Sequence, residues 1–472
     1  MLLVAAVALA GSAGHASTTF SRQDLTVTMA DGTAIAATLW LPSGAPPAGG
    51  WPAIVLFHGL GGSREDMNKL AELAFLPANR YAVLTYDARG HGQSGGLIGI
   101  DGPNEISDAK AMFAWLAAQP DVNRKEIGAF GISLGGGAVW NSLVAGVPWA
   151  AIEVCETWTN LATALAPQGL AKSGAIAGFI NEMPVSKYDP AVLSVGRAAL
   201  AGDLSTVDGF AAARSSIQKL KGVKIPVFMM QGRRDFAFGI DQAATAWPLL
   251  AGPKHLWLGL HGHPPSTFPA PDTVAMMTEG RQWFDHYLRG VQNGIDKKPP
   301  VEVAPETWKG NTVGYASPFK IAPGEWGSRS FPSSLTVTRT IGPSGSIKLG
   351  FGKTPASADV YGAPRIQVTA SASGGWSRLV AVLTAVTKEG KSIVVSSGGV
   401  PTQPGKHAYT IRLISQMTYM PAGSRLVVTL GSSSLAQNPA NLLYLQLPMP
   451  PAARLSVIGR VNLSVENVEP GY

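Results

Sequence analysis

The chain of 472 residues predicts an α/β domain with a parallel sheet, followed by a second, all-β domain. Through residues 20–292, short apolar runs alternate with helix-compatible segments, which is typical of a parallel sheet covered on both faces. After a linker around 293–300, short runs of Val, Ile, Thr and Leu recur between Gly, Pro and Ser. Such even spacing of short strands predicts a β-sandwich of jelly-roll type.

The elements of the first domain follow one another in the order that a parallel sheet requires. Apolar runs predict buried strands, and capping residues or helical spacing predict the helices between them. The alternation breaks over 157–222, where an Ala-rich stretch predicts a helical cap above the strand ends. The predicted elements are a hairpin within 24–40, strands over 52–57, 81–86, 127–130, 150–154, 226–231 and 255–260, and helices over 63–75, 105–118 and 273–288.

The stretch GISLG at 131–135 stands between the strand predicted at 127–130 and a helix-compatible segment. A Gly-x-Ser-x-Gly turn in that setting is the nucleophile elbow of the α/β-hydrolase fold. The turn holds a serine hydroxyl above the sheet, and its two glycines let strand and helix pass closely. Ser133 is therefore the predicted nucleophile, and the backbone N–H of Leu134, at a helix N-terminus, is a predicted oxyanion donor.

A serine nucleophile needs a base and an orienting carboxylate, which in this fold follow it in the order Asp, His on loops after strands. The strand over 226–231 runs into the loop of Asp235, the predicted acid, with Asp241 as the weaker alternative. The next strand runs into two histidines. His263 is the preferred base because it follows a glycine, and His261 is the alternative. The His-x-His pair would also suit a metal ion, but no third ligand cluster and no cysteine lie near it in the sequence, so no metal site is predicted.

The loop after the first central strand, HGL at 58–60, resembles the turns that carry the second oxyanion donor. The backbone N–H of Leu60 is the predicted donor. In and beside the cap, Trp158, Phe179 and Met183 would suit an apolar acyl or aromatic group. Packing within the cap is an equally good interpretation of these side chains.

Composition excludes several other functions. The net charge of +7 comes from 37 basic and 30 acidic residues without a basic cluster among aromatics, so no nucleic-acid partner is predicted. Cys155 is the only cysteine, which excludes an intrachain disulfide and a thiolate metal centre. The Gly-Gly pair at 61–62 lacks the Lys-Ser/Thr of a phosphate-binding loop, so no cofactor is predicted. The expected partner is a small ester or a short peptide, without stable membrane insertion; the oligomeric state is left open.

The N-terminus is apolar and rich in small residues, and it ends in Ala-Ser at 16–17. This predicts an export signal and a secreted or periplasmic protein, with an N-terminal strand or frayed tail as the alternative. The expected division of the chain is a signal segment over 1–16, an α/β-hydrolase domain over 20–156 and 223–292, a helical cap over 157–222 and a β-sandwich over 300–472.

Several motifs together resemble one family. They are GISLGG, YDARGHGQSGG, GRRDFAFG, GHP and the run WFDHYLRGVQNGIDKKPPVEV. The set is similar to the X-prolyl dipeptidyl peptidase and cocaine-esterase-like hydrolases, over nearly all of the chain after residue 20. The resemblance implies an α/β-hydrolase fold with a helical cap insertion, plus a C-terminal all-β jelly-roll sandwich. It also implies that Ser133, Asp235 and His263 form a catalytic triad. The loop at 58–60 lacks the tyrosine of the cocaine-esterase branch, so a backbone oxyanion donor is implied there.

Three functions compete on this basis. The preferred one is a secreted carboxylesterase that works through an acyl-serine intermediate. The alternative is an X-Pro-type dipeptidyl or aminopeptidase, which needs an acidic group for the substrate amine, such as Glu153, Glu156 or Glu182. A binding protein without catalysis is disfavoured, because serine, acid and histidine are all present in the expected order.

Overall fold

The computed structural model describes residues 20–76, 80–321, 333–435 and 442–465. The predicted export segment over 1–16 lies outside these ranges. Within them, no helix combines the length and the apolarity that crossing a membrane requires.

The first domain is built on one sheet of ten strands. Its strands are β1 (Phe20–Thr28), β2 (Ala34–Pro42), β3 (Trp51–Phe57), β4 (Ala82–Tyr86), β5 (Val122–Ile132), β6 (Ile152–Cys155), β7 (Val227–Gly232), β8 (Lys254–Gly259), β9 (Val301–Val303) and β10 (Val313–Tyr315). They lie in the order β1-β2-β4-β3-β5-β6-β7-β8-β9-β10. The neighbours from β4 to β9 are parallel, which places the loops that follow β3, β5, β6, β7 and β8 along one edge of the sheet.

The central strands are buried on both faces because helices cover the sheet on either side. Helices of the first domain are α1 (Arg64–Ala74), α2 (Pro103–Ala117), α3 (Leu134–Val144), α4 (Leu161–Leu165), α5 (Ser173–Asn181), α6 (Pro190–Leu200), α7 (Val207–Ala212), α8 (Asp241–Ala246) and α9 (Thr273–Arg289). Helices α4 to α7 lie within 157–222 and enclose an apolar cluster with the edge of the sheet. Helix α9 ends at Gly290, whose φ of 69° suits a glycine cap.

The second domain is an antiparallel β-structure. Its strands are β11 (Ser333–Ile341), β12 (Ile347–Lys353), β13 (Ala358–Gly362), β14 (Arg365–Ser373), β15 (Arg378–Val386), β16 (Ser392–Pro401), β17 (Gly405–Arg412), β18 (Gln416–Met420), β19 (Arg425–Gly431) and β20 (Arg454–Ser464). Two four-stranded sheets, β11-β20-β14-β17 and β12-β19-β15-β16, enclose one apolar core, and β13 pairs with β18 beside them. The predicted α/β-hydrolase fold with a C-terminal β-sandwich is therefore confirmed.

The boundary between the domains differs from the expected one at residue 300. Strands β9 and β10 belong to the large sheet, where β9 pairs with β8, and the sandwich begins only with β11. The sequence misleads here because a short Val-Glu-Val run has the same composition in either domain. Only hydrogen-bonded pairing along the edge of β8 decides to which sheet this run belongs.

The two domains meet at the loop after β7. The guanidinium group of Arg233 donates to the Asp359 carboxylate of the β-domain and to the Ala304 carbonyl. The Arg233 carbonyl accepts the N–H of Met417 at 2.7 Å. Further along the same loop, Phe236 packs in an apolar cluster with side chains of β15 and β16. The β-domain thus holds the loop that carries the predicted acid.

Candidate active site

Ser133 lies at the turn between β5 and α3, with φ 54° and ψ −117°. A residue other than glycine rarely adopts this left-handed conformation, and here the packing on both sides enforces it. A Cβ atom at Gly131 would lie 2.2 Å from the Gly135 carbonyl oxygen, and one at Gly135 would lie 2.3 Å from the Phe57 carbonyl oxygen. Both glycines are required for strand and helix to pass this closely, so the motif has a steric cause.

The structure brings the three predicted side chains into one hydrogen-bonded row. The Ser133 hydroxyl oxygen lies 2.8 Å from His263 Nε2, and His263 Nδ1 lies 2.7 Å from the Asp235 Oδ2 atom. The other oxygen of Asp235 accepts the backbone N–H groups of Ala237 and Phe238, both at 2.9 Å. In the neutral imidazole, this geometry assigns the proton of His263 to Nδ1 and leaves Nε2 as the acceptor that faces the serine.

The electrostatics of the row favour an imidazolium beside a carboxylate. Burial alone would raise the pKa of Asp235, but the charge and hydrogen bond of His263 and the backbone donors lower it below its ordinary value. Burial alone would lower the pKa of His263, whereas the charge and hydrogen bond of Asp235 raise it to about 9. The site can therefore hold the positive charge that forms when His263 removes a proton from Ser133.

The two predicted oxyanion donors lie on neighbouring elements. Leu134 is the first residue of α3, where backbone N–H groups have no acceptor within the helix. Leu60 lies in the loop after β3, which the close approach of Gly135 to the β3 end holds against the start of α3. His58 fixes this loop, since its Nδ1 lies 2.7 Å from the Gly59 carbonyl and its Nε2 accepts the N–H of Ala88.

The three predicted pocket residues occupy different depths of the cap. Trp158 is buried, and its indole N–H donates to the Arg214 carbonyl at 2.8 Å. It therefore supports the apolar cluster of the cap from its interior. Phe179 and Met183 are half-buried at the edge of the same cluster. Phe238 was not predicted. Its ring lies 5.1 Å from the His263 ring and stacks on Phe179 at 5.9 Å.

Phe238 follows the acid by three residues, and that position after a strand-end aspartate is the signal that could have identified it. Its backbone N–H binds Asp235 while its ring contacts His263, which links the apolar side chains of the cap to the predicted acid and base.

Glu156 is a second residue that sequence reasoning did not place. It follows β6 with φ 48°, and its Oε2 atom lies 3.8 Å from His263 Nδ1. Its Oε1 atom lies 3.8 Å from Nε2 of His261, the alternative base, which is fully buried. His263 is thus the histidine that is hydrogen-bonded to Ser133, while His261 faces Glu156.

The histidine pair has no cysteine or third ligand near it in the sequence, but the fold brings such groups close in space. In the described part of the chain, three groups have potential ligand atoms within 4.8 Å of one another. Parallel pairing of β6, β7 and β8 brings these residues together from distant parts of the sequence. The groups are Cys155, Glu156 and His261; Glu156, Asp235 and His263; and His255, Glu279 and Glu302. In the third group, both glutamates form ion pairs with Lys298.

The glycine-rich loop after β4 is an ionic scaffold. Asp87 binds the guanidinium and the backbone N–H of Arg64, and Arg89 binds Asp108 through two hydrogen bonds of 2.6 Å. Arg89 also donates to Asp31 in the β1–β2 turn at 2.6 Å. The loop thus ties the hairpin and α2 to the sheet edge beside the site.

The fold and the hydrogen-bonded row define the class as an α/β-hydrolase-fold protein with a helical cap and a C-terminal β-rich domain. Residues 31–264 match the family described as X-Pro dipeptidyl-peptidase (S15 family). The predicted resemblance is confirmed, since residues 31–264 match the S15 family model and a solved CocE/NonD family hydrolase shares the fold.

Individual relatives agree with this placement. A putative Xaa-Pro dipeptidyl-peptidase of Bacillus anthracis is 26% identical over 263 residues, which are 48% of this chain and 42% of that protein. The chain spans about half the length of the curated relatives that it matches.

Solved structures extend the likeness over both domains. A CocE/NonD family hydrolase from Staphylococcus aureus superposes with a TM-score of 0.71 at 14% identity, covering 94% of both chains. An α-amino acid ester hydrolase superposes with a TM-score of 0.69 at 15% identity, covering 98% of this chain and 99% of the other. At these identities the likeness concerns the fold.

Proposed function

We propose that the protein is a serine hydrolase that cleaves carboxylic esters through an acyl-serine intermediate. The observation that carries the proposal is the row Ser133–His263–Asp235, with 2.8 Å between serine and histidine and 2.7 Å between histidine and acid. A serine hydroxyl is a weak nucleophile, and hydrogen bonding to an oriented imidazole is the arrangement that activates it.

In the first half-reaction, His263 Nε2 takes the proton of the Ser133 hydroxyl while the serine oxygen bonds to the substrate carbonyl carbon. Asp235 stabilises the resulting imidazolium. The N–H groups of Leu60 and Leu134 are the proposed donors to the oxyanion, a contribution of about 3 kcal/mol for each such donor in comparable sites. Breaking of the ester C–O bond passes the histidine proton to the leaving alcohol.

In the second half-reaction, His263 removes a proton from a water molecule, whose oxygen attacks the acyl carbon. The serine oxygen leaves with the proton that the histidine returns, and the carboxylic acid product departs. Each half-reaction thus uses the imidazole once as a base and once as an acid.

The apolar wall beside His263 favours an acyl or aromatic group in the substrate. Phe238 and Phe179 form a stack that begins at the catalytic histidine and continues into the cap. Behind Phe179, the cap contains an apolar cavity of about 60 Å³. Hydrocarbon chains bind to such surfaces through burial of apolar area.

Cleavage of X-Pro peptides is the alternative, supported by the S15 match and by the putative peptidases among the relatives. Such a substrate needs a carboxylate for its amine. Glu153 is buried against α9, and Glu156 lies behind His263. Glu182 is exposed at the end of α5, next to Gly61 in the loop after β3. It is the one of the three that a bound amine could reach.

Paired rate assays on the purified protein distinguish the two substrates. Short and medium nitrophenyl esters form one arm and an Xaa-Pro anilide the other, with Ser133→Ala as the control in both. We expect rapid ester turnover, a silent anilide and loss of at least about 10⁴-fold in Ser133→Ala with unchanged folding. Near-wild-type rates in Ser133→Ala would refute the proposal, and dominant anilide turnover would favour the peptidase.

We also propose export, on the basis of the N-terminal sequence alone. Expression of the full chain in a Gram-negative host, followed by fractionation and N-terminal sequencing, should give a shortened protein in the periplasm. An intact N-terminus in the cytoplasmic fraction would contradict export.

A further inference from the structure

Glu156 is a buried carboxylic acid next to the catalytic row without a role in it so far. Its Oε2 atom lies 3.8 Å from His263 Nδ1, the nitrogen that Asp235 binds at 2.7 Å. Two carboxyl groups therefore face the same side of the imidazole. One of them comes from the loop after β7 and the other from the loop after β6.

The surroundings of Glu156 give it no other charged partner. It is 1% exposed, and its Oε1 atom has no hydrogen-bond partner in the part of the chain that the structure describes. No lysine or arginine of the described residues forms an ion pair with it. The titratable or charged groups around this site are His263, His261, Asp235, Cys155, Asp272 and Lys172.

Such a carboxyl is costly for stability. An unpartnered buried polar oxygen costs about 1–3 kcal/mol, and the positive φ of 48° adds backbone strain. A fold that needed only packing here would be served by an apolar residue. A group that becomes favourable when His263 is charged has a use in the reaction instead.

We propose that Glu156 is a positioning residue, a second acid that orients the His263 imidazole and stabilises its charged form together with Asp235. The proposal rests on the proposed function, because it requires His263 to be the base. When His263 accepts the serine proton, attraction between the imidazolium and the Glu156 carboxylate strengthens at 3.8 Å. Glu156 does not touch the substrate, and it acts through His263.

The pKa values of the two groups agree with this coupling. Burial raises the pKa of Glu156 to about 8, while the charge of His263 opposes that rise. Conversely, Glu156 is among the negative groups that raise the pKa of His263. Removing the Glu156 charge should therefore lower the pKa of His263 and weaken the stabilisation of its imidazolium.

The decisive test is Glu156→Gln, assayed with nitrophenyl esters as a function of pH. We expect the rising limb of kcat/KM to move to lower pH by about one unit, kcat at the plateau to fall about tenfold, and KM to stay within about twofold. The matched control is Glu153→Gln, which also replaces a buried carboxyl, but one within β6 that lies against α9 and does not contact His263. It should leave the pH profile unchanged. A Glu156→Gln profile identical to wild type would overturn the proposal.

A second comparison separates orientation from packing. Asp235→Ala should retain measurable turnover because Glu156 remains beside His263 Nδ1, and Asp235→Ala/Glu156→Gln should lose at least about tenfold more. Equal rates in the single and double variants would overturn the proposal.

If Glu156→Gln fails to fold, Glu156→Asp serves, since it keeps the charge and should keep the wild-type pH limb. Failure of the proposed function is distinct, because it would appear as turnover in Ser133→Ala.

Discussion

Arg233, two residues before the proposed acid Asp235, forms an ion pair with Asp359 of the β-domain. The guanidinium is almost completely buried, and its other hydrogen bond goes to the carbonyl of Ala304. The loop that carries Asp235 is thus fixed from the β-domain as well as from the sheet. The second domain therefore contributes to the site by fixing the position of the loop that carries Asp235.

Asp359→Asn should lower activity although residue 359 lies outside the hydrolase domain. Loss of the ion pair leaves the buried guanidinium partly uncompensated and loosens the loop of Asp235. We expect a loss of about 1–3 kcal/mol in the free energy of unfolding and at least about tenfold in kcat. Urea unfolding and ester kinetics measure the two. The control is Glu389→Gln in an exposed turn of the same domain, and equal kcat values for both variants would contradict the role of the pair.

Replacement of the two histidines should have opposite consequences. His263→Ala removes the proposed base and should reduce kcat by about 10⁴-fold or more. His261→Ala empties a fully buried position and should lower stability by about 2 kcal/mol, with a much smaller change in kcat. Ester rates and thermal unfolding of both variants check this. A larger kcat loss in His261→Ala would reverse the assignment of the base.

The raised pKa of His263 has a consequence for stability. A group that binds its proton more tightly in the folded state stabilises the fold fully below its unfolded pKa of 6.5, and this contribution disappears as the pH rises through about 9. We expect up to about 3 kcal/mol of difference between wild type and His263→Gln at pH 6, and much less above pH 9. Urea titrations at both pH values test it. A difference that grows with pH would contradict the proposed charge state.

Phe179→Ala should extend the range of acyl chains. Its ring stacks on Phe238, next to the proposed catalytic histidine, and also lines the apolar cavity of about 60 Å³ within the cap. Removing the ring should open that cavity to the substrate and raise kcat/KM for octanoate relative to acetate about tenfold. Phe210 also lines this cavity, and Phe210→Ala is the control. An unchanged octanoate preference in Phe179→Ala would place the acyl group elsewhere.

Local sequence determined the parts of the site that depend on neighbouring residues. The elbow is such a part, because the close approach that requires a glycine at position 131 is to Gly135 within the same motif. The order of strand-end loops also indicated Asp235 and, between two histidines, His263. The fold class followed equally from local patterns, since buried strands and short β-runs differ in composition along the chain.

Tertiary structure decided what depends on pairing between distant segments. The parallel neighbours β6, β7 and β8 bring Glu156, Asp235 and His263 together, although the sequence separates the first from the last by more than a hundred residues. The membership of β9 in the large sheet and the ion pair of Arg233 with Asp359 likewise depend on which edges meet. Strand register and the contact between the domains set the distances between these side chains. The packing that stabilises this arrangement involves segments that lie far apart in the sequence.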